Sequence, residues 1–439
     1  MVNRNGTICL VAVAATFIAT ASVTPQTRAV VITSVNVVDV LDGRIVPNST
    51  VTISGTTITS VTGNSTRPAG AQVVDGRGRF LIPGLWDMHA HMEASGESAL
   101  QLYVANGVTG IRDMGSALDL ILKMREATSS GRVLGPRIFA AGPILDDAPA
   151  EWPFRMRVKT AEDGRAAVQM LKRRGVDLIK VHDHTPRDVF FAIAEEAHRQ
   201  NLPVAGHVPI GVTAEEAVNA GQRDIEHLSN MSLWKPCSGG DTYRPAACRP
   251  FFEMLARRGV WQTPTLVAMS ELMTVGTPAS ALRGDRLAYA SRSLRTMWAG
   301  NQRAFATPDV IRIFRAGAVV GATVTNDMAR VGVGILAGCD GMVAGFCVGD
   351  ELVAMVRGGM SALAALQTAT LNPARYFGLQ QTLGRVAPGQ RADLVLLDAN
   401  PLTDITSVGR IRAVVTAGRL LDRTELDNVL AQVRITAKH

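Results

Sequence analysis

The 439-residue chain is 47% hydrophobic and 19% charged, a balance that supports a large buried core and excludes an extensively disordered protein. Its net charge of +7 comes from scattered arginines with no aromatic-interleaved basic stripe. Nucleic acid is therefore excluded as a partner, and the charge is read as solubility with at most a modest preference for anionic substrates.

The chain opens with Arg4, the apolar run Ile8-Cys-Leu-Val-Ala-Val-Ala-Ala-Thr-Phe-Ile-Ala19 and the small-residue pattern Ala19-Thr-Ala21. Residues 1–21 are laid out as a signal peptide, too short in its apolar part to span a bilayer. The expectation is export to the periplasm or beyond, with no stable membrane span once the leader is cleaved. Cys9 leaves with it. Val30-Val-Ile-Thr-Ser-Val-Asn-Val-Val-Asp39 and Ser49-Thr-Val-Thr-Ile-Ser54 follow, rich in β-branched residues and punctuated by glycines, as short antiparallel strands are.

Phe80-Leu-Ile-Pro-Gly-Leu-Trp-Asp-Met-His-Ala-His91 comes next. On a strand, residues i and i+2 share a face, so His89 and His91 offer two imidazoles to one point, a metal-ligand geometry. From here short apolar runs alternate with helix-like stretches such as Ala161–Arg174 and Val189–His198. That alternation predicts a parallel sheet with crossover helices.

Polar residues stand at or near the ends of several runs: Lys180 in Val176-Asp-Leu-Ile-Lys180, His207 in Pro203-Val-Ala-Gly-His207, His227 in Asp224-Ile-Glu-His227 and Asp340 in Gly334-Ile-Leu-Ala-Gly-Cys-Asp340. A (β/α)8 barrel with a metal site at its mouth produces this arrangement, because its functional residues come from the carboxyl ends of different strands. Thr263-Pro-Thr-Leu266 reads as a seventh strand. The Ala-, Arg- and Leu-rich stretch after it, to about residue 330, reads as helices capping the mouth. Cys237 and Cys248 bracket a loop that an oxidising compartment can staple, whereas Cys339 reads as a buried, inert thiol.

The ordered set resembles the amidohydrolase superfamily, and more closely its prolidase-like and imidazolonepropionase-like members. The resemblance includes Gly107-Val-Thr-Gly-Ile-Arg-Asp113, Leu363-Ala-Ala-Leu-Gln-Thr-Ala-Thr-Leu-Asn-Pro-Ala374 and Leu383-Gly-Arg-Val-Ala-Pro-Gly-Gln-Arg-Ala-Asp-Leu-Val-Leu-Leu-Asp398. It implies an α/β fold: a (β/α)8 TIM barrel over residues 84–376, with a small β-sandwich built by both chain ends, residues 30–83 and 377–430.

It further implies a metal-dependent hydrolase of amide C–N bonds, with two divalent ions, zinc favoured, held by His89, His91, Lys180, His207, His227 and Asp340. Lys180 is one of only six lysines and sits in an apolar strand where an ammonium is costly. The resemblance makes it a carbamate formed with carbon dioxide, bridging the ions; the alternative is a lysine paired with Asp183. Asp340 is implied to ligate a metal and to carry the catalytic proton, the alternative being a helix N-cap.

His182 and His184 form a second His-x-His outside the implied ligand set. They are read as lying behind the ligands, facing substrate or solvated. Arg155, Arg157 and Tyr243 are read as solvated rather than substrate-binding.

The implied substrate is a small-molecule amide, either a dipeptide such as Xaa-Pro or an N-acyl amino acid. The alternatives are opening of a cyclic amide, as in imidazolonepropionase relatives, and a catalytically silent metal-binding barrel. A homo-oligomer is compatible with the sequence. Two departures bear on substrate: dipeptide-cleaving members often carry a Gly-Gly-His stretch where this chain reads Gly142-Pro-Ile-Leu-Asp-Asp-Ala-Pro-Ala-Glu-Trp-Pro153, and Gly349 stands where many have histidine.

Overall fold

The computed structural model describes residues 28–63, 67–148, 154–228, 237, 242–271, 285–304, 307 and 320–437. The leader read over residues 1–21 lies outside them. No described helix is long and apolar enough to cross a membrane.

Both ends of the chain meet in one sheet of eight strands. Its first five are β1 (Val30–Val38), β2 (Ile45–Ser54), β3 (Thr57–Thr62), β4 (Gln72–Asp75) and β5 (Phe80–Pro83). The β-branched first segment forks the sheet: β1 pairs β4 through Val30–Thr33 and β5 through Asn36 and Val37. From the far end of the chain, the strands Leu394–Leu397, Ile411–Thr416 and Arg419–Asp422 complete it, the first lying antiparallel on β5 in the register Leu394 to Pro83 through Leu397 to Phe80. A separate apolar core, including Val35, Val51, Leu81, Leu394 and Val415, holds the two ends together.

The middle of the chain supplies parallel strands: β6 (Leu85–Ala90), β7 (Val108–Asp113), β8 (Arg137–Ala140), β9 (Ile144–Asp146), β10 (Arg155–Arg157), β11 (Ile179–Val181), β12 (Val204–Gly206), β13 (Gln222–Glu226), β14 (Trp261–Thr263) and β15 (Gly334–Ile335). They form a three-stranded sheet, β6-β7-β8, and a seven-stranded one, β10-β9-β11-β12-β13-β14-β15, instead of one unbroken ladder. Backbone hydrogen bonds cross both gaps: Asp177 N donates to Ala140 O at 2.9 Å, while Met88 N donates to Ala337 O at 2.8 Å and Asp340 N to His89 O at 2.7 Å. The seventh strand ends at Thr263, three residues short of the expected Leu266, which instead opens the helix Leu266–Glu271.

Local sequence sets the crossovers. Thr160 and Asp163 form a capping box at the start of Ala161–Arg174, which ends on left-handed Gly175, and Thr213 and Glu216 do the same for Ala214–Asn219. Part of the expected cap over the mouth is present as the helix Arg292–Ala304. Its Trp298 Nε1 donates to Gly341 O at 2.9 Å, docking it on the loop that follows β15.

Candidate metal centre

The candidate residues lie at the carboxyl ends of the parallel strands. His89 is in β6 and His91 follows it, Lys180 is inside β11, and His207 and His227 directly follow β12 and β13. Asp340, beyond β15, is the point on which three of them converge. His89 Nε2 and His91 Nε2 lie 3.4 and 3.3 Å from its Oδ1, and His227 Nε2 lies 3.8 Å from its Oδ2. The His207 and His227 rings are 4.9 Å apart between centroids.

Lys180 is buried, and its Nζ has no hydrogen-bond partner among the described residues. Gly206 brings β12 against it: a Cβ there would lie 2.1 Å from Val181 O and 3.1 Å from Lys180 Cδ, so only glycine permits the approach. Gly338 plays the same part on the other side, where a Cβ would meet His89 Cβ at 2.8 Å.

Each imidazole is tied at Nδ1: His89 to Glu226 Oε2 at 2.6 Å, His91 to Gly115 O at 3.0 Å, His207 to Asp183 Oδ1 at 3.0 Å and His227 to Thr265 Oγ1 at 2.7 Å. Outer partners on one ring nitrogen are what metal-binding histidines use to aim the other. The backbone is strained at the same place. His227, Thr265 and Asp340 have φ of 58°, 48° and 47°, a left-handed conformation that side-chain-bearing residues rarely adopt and that costs on the order of 1–3 kcal/mol each.

Burial pushes the Lys180 amine below its ordinary value. It also lowers His89 to about 4, with the charge of Lys180 adding to the effect. Burial alone would raise Asp340, yet His227, His89 and His91 hold its carboxyl well below the usual carboxylate range. Glu226 behaves alike: against burial, the Arg112 guanidinium and then His89 and Lys180 keep it well below its ordinary value. Four imidazoles, an amine whose charged form burial disfavours and a carboxylate held below its ordinary value form a donor set that suits divalent cations.

Several readings are decided by this geometry. Lys180 is not paired with Asp183, whose carboxylate instead receives His207. Asp340 caps no helix, because the next one, Phe346–Arg357, is preceded by Gly345. His182 lies behind a candidate ligand, stacked on the His207 ring at 3.9 Å. The Arg155 side chain is largely covered rather than solvated, with its Nε 3.2 Å from Asp146 Oδ2. Tyr243 donates to Asp327 at 2.8 Å, and the exposed Arg157 pairs with Asp147 at 2.7 Å.

The expected disulfide between Cys237 and Cys248 is present. The reading of Cys339 as an inert thiol is corrected: it is bonded to Cys347. Glycines at 338, 341 and 345 let the chain reverse after β15 and bring the first turn of the following helix back to the strand end.

The family model for the amidohydrolase family matches residues 80–421. The chain belongs to the amidohydrolase family. The ochratoxinase of Aspergillus niger is 25% identical over 399 residues, covering 76% of this chain and 73% of the relative. Among solved structures, a bottromycin amidohydrolase superposes with a TM-score of 0.74 at 25% identity, over 94% of this chain and 91% of its own. A putative prolidase from Bifidobacterium longum does so with 0.71 at 24% identity, over 93% and 100%. This amidohydrolase is accordingly a hydrolase of carbon–nitrogen bonds in a metal-dependent family.

Around the candidate ligands sits a set whose place here the sequence does not announce: Arg112, Glu226, Asp183, expected only as an alternative partner of Lys180, and Thr265, expected only as part of a strand. Arg112 carried a usable signal, a charge inside the wholly buried run Val108–Asp113.

Proposed function

We propose that this amidohydrolase holds two divalent cations, zinc favoured, among His89, His91, Lys180, His207, His227 and Asp340. It uses them to cleave the amide C–N bond of a small substrate such as a dipeptide or an N-acyl amino acid. The observation that carries the reading is the convergence of three Nε2 atoms on Asp340 beside a buried lysine whose Nζ has no hydrogen bond. We read the two parallel sheets as the staves of one (β/α)8 barrel over residues 84–376, flanked by a sandwich from residues 30–83 and 377–430. The disulfides Cys237–Cys248 and Cys339–Cys347 support export through residues 1–21, since such bonds persist in oxidising compartments.

Lys180, favoured in its neutral form by burial, adds its lone pair to carbon dioxide and releases a proton, and the resulting carbamate offers two anionic oxygens where an ammonium would repel cations. When bound, the cations acidify water and polarise the scissile carbonyl. Asp340, ionised and held within 3.4 Å of His89 and His91, takes a proton from the attacking water and passes it to the departing nitrogen. Amide and water thereby become carboxylate and amine. The His91 and Phe154 rings lie 5.8 Å apart between centroids.

The test loads the protein with zinc and bicarbonate and follows amine release from Xaa-Pro dipeptides and N-acyl amino acids. The wild type is expected to release amine. Asp340→Asn is expected to lose about 10²–10⁴-fold in kcat, the range of general acid–base catalysis, while still binding zinc. Near-normal turnover by Asp340→Asn would refute its proton-transfer role. Zinc binding with no turnover of any amide would favour a silent metal-binding barrel.

A further inference from the structure

Consecutive residues on a strand face opposite ways, yet Glu226 and His227 both turn inward. Glu226 receives His89 Nδ1 at 2.6 Å, and the His227 ring sits 4.7 Å from that of His89. The left-handed φ of 58° at His227 breaks the alternation just where β13 ends. One strand end thus delivers a candidate ligand and the outer partner of another.

The other Glu226 oxygen, Oε1, accepts from Arg112 Nη2 at 2.8 Å. The guanidinium is held on every nitrogen: Nε donates to Met88 O at 2.6 Å, Nη2 also to Thr263 Oγ1 at 3.0 Å, and Nη1 to Asp224. Arg112, Asp224 and Glu226 are all fully buried. A guanidinium only donates and an ionised carboxylate only accepts, so neither end of this relay can reverse. His89 Nδ1 must carry the ring proton, and Nε2, 3.4 Å from Asp340, must carry the lone pair.

We propose that Glu226, locked by Arg112, is a positioning residue that fixes the tautomer of His89 and so keeps its Nε2 open to a divalent cation. This rests on the metal reading above.

The decisive substitution is Glu226→Gln, which preserves shape. Because Arg112 cannot accept, the amide oxygen must face Arg112 and the amide NH2 must face His89. Nδ1 is then forced to accept, and the ring proton moves to Nε2, the nitrogen meant for the cation.

The test uses metal-free protein with 15N-labelled histidine, the His89 signals being assigned by their loss in His89→Asn. Zinc affinity is measured in parallel by competition with a chromogenic chelator. Wild type is expected to show the Nδ1–H tautomer. Glu226→Gln is expected to show Nε2–H and to bind zinc about 10–100-fold more weakly, the usual effect of losing an outer partner.

Asp224→Asn is the matched comparison, since it removes a buried carboxylate from the same guanidinium without touching His89. It is expected to melt lower while keeping the wild-type tautomer and zinc affinity. An unchanged tautomer in Glu226→Gln overturns the proposal, as does zinc loss of equal size in Asp224→Asn, which would make the network a brace alone. A wild type that fails to bind zinc, with the tautomer still switching in Glu226→Gln, removes the metal reading and leaves the relay standing.

Discussion

A buried amine with no hydrogen bond costs on the order of 1–3 kcal/mol and returns nothing to the fold, so Lys180 has to be explained by what it does. Its pKa is lowered by burial, which means the native state binds fewer protons than the unfolded one below the ordinary lysine value. Its contribution to the stability of the metal-free protein therefore becomes more favourable as pH rises toward 10.5 and less favourable as the solution is acidified. Lys180→Met is expected to raise the melting temperature of the metal-free protein at pH 7 and to flatten that slope, while abolishing amide hydrolysis. Calorimetry across pH 6–10 checks it, and a lower melting temperature for Lys180→Met at every pH would show that the lysine stabilises the fold. The charge that makes Lys180 legible within an apolar strand marks Arg112 equally. What the sequence does not disclose is the partner: Asp224 and Glu226 lie 112 and 114 residues away from Arg112, and only the sheet order brings them together. The histidines and Asp340 are legible because their spacing and order repeat a family pattern. Asp183 and Thr265, which tie His207 and His227, follow no pattern of spacing and emerge only from packing.

The segment between β15 and the helix Phe346–Arg357 carries Asp340 in a left-handed conformation and is held at both sides. Cys339 and Cys347 close it covalently, Asp87 Oδ1 accepts from Cys339 N at 3.0 Å, and Trp298 grips Gly341. A loop of this size closed by a disulfide gains about 2–3 kcal/mol in the chain-entropy account. Cys347→Ser is expected to lose roughly that stability and to lower kcat more than it alters KM, because Asp340, the proposed proton carrier, loses an anchor. Thermal melts and steady-state kinetics read the two effects, and an unchanged kcat would show that hydrogen bonds alone hold Asp340. A thiol count on denatured, unreduced protein is expected to find no reactive cysteine apart from Cys9 where the leader is retained. The sequence showed one staple and not the other because two cysteines flanking a loop advertise their pairing. Cys339 meets its partner only through a glycine-rich reversal whose direction the sequence leaves open. β14 ends earlier than its composition suggests for a related reason: Thr263-Pro-Thr is as extended in composition as a strand, but Thr265 turns left-handed beside His227.

At the scale of the whole molecule, the two ends of the chain make one sheet, and the backbone of that sheet leads directly into the site. β5 pairs with Leu394–Leu397, and after Gly84 the same backbone becomes β6, which carries His89. The alternation of apolar runs and helices made the parallel strands legible, and the β-branched ends made the terminal strands legible. Their joining across more than 300 residues was available only through resemblance, because strand pairing at that separation leaves no local mark. The architecture predicts a cooperative dependence. Ending the chain after Gly378 removes the last three strands and strips Val35, Val51 and Leu81 of their apolar cover, while leaving the β5 edge open to pair with other chains. The truncated protein is expected in the insoluble fraction, or as soluble aggregates with lost zinc affinity, even though every candidate ligand is retained. Gel filtration with zinc titration reads the outcome. A soluble truncated chain that binds zinc like the full-length protein would show that β6 is positioned by the parallel sheets alone, and that the terminal sheet is an appendage rather than the support of His89 and His91.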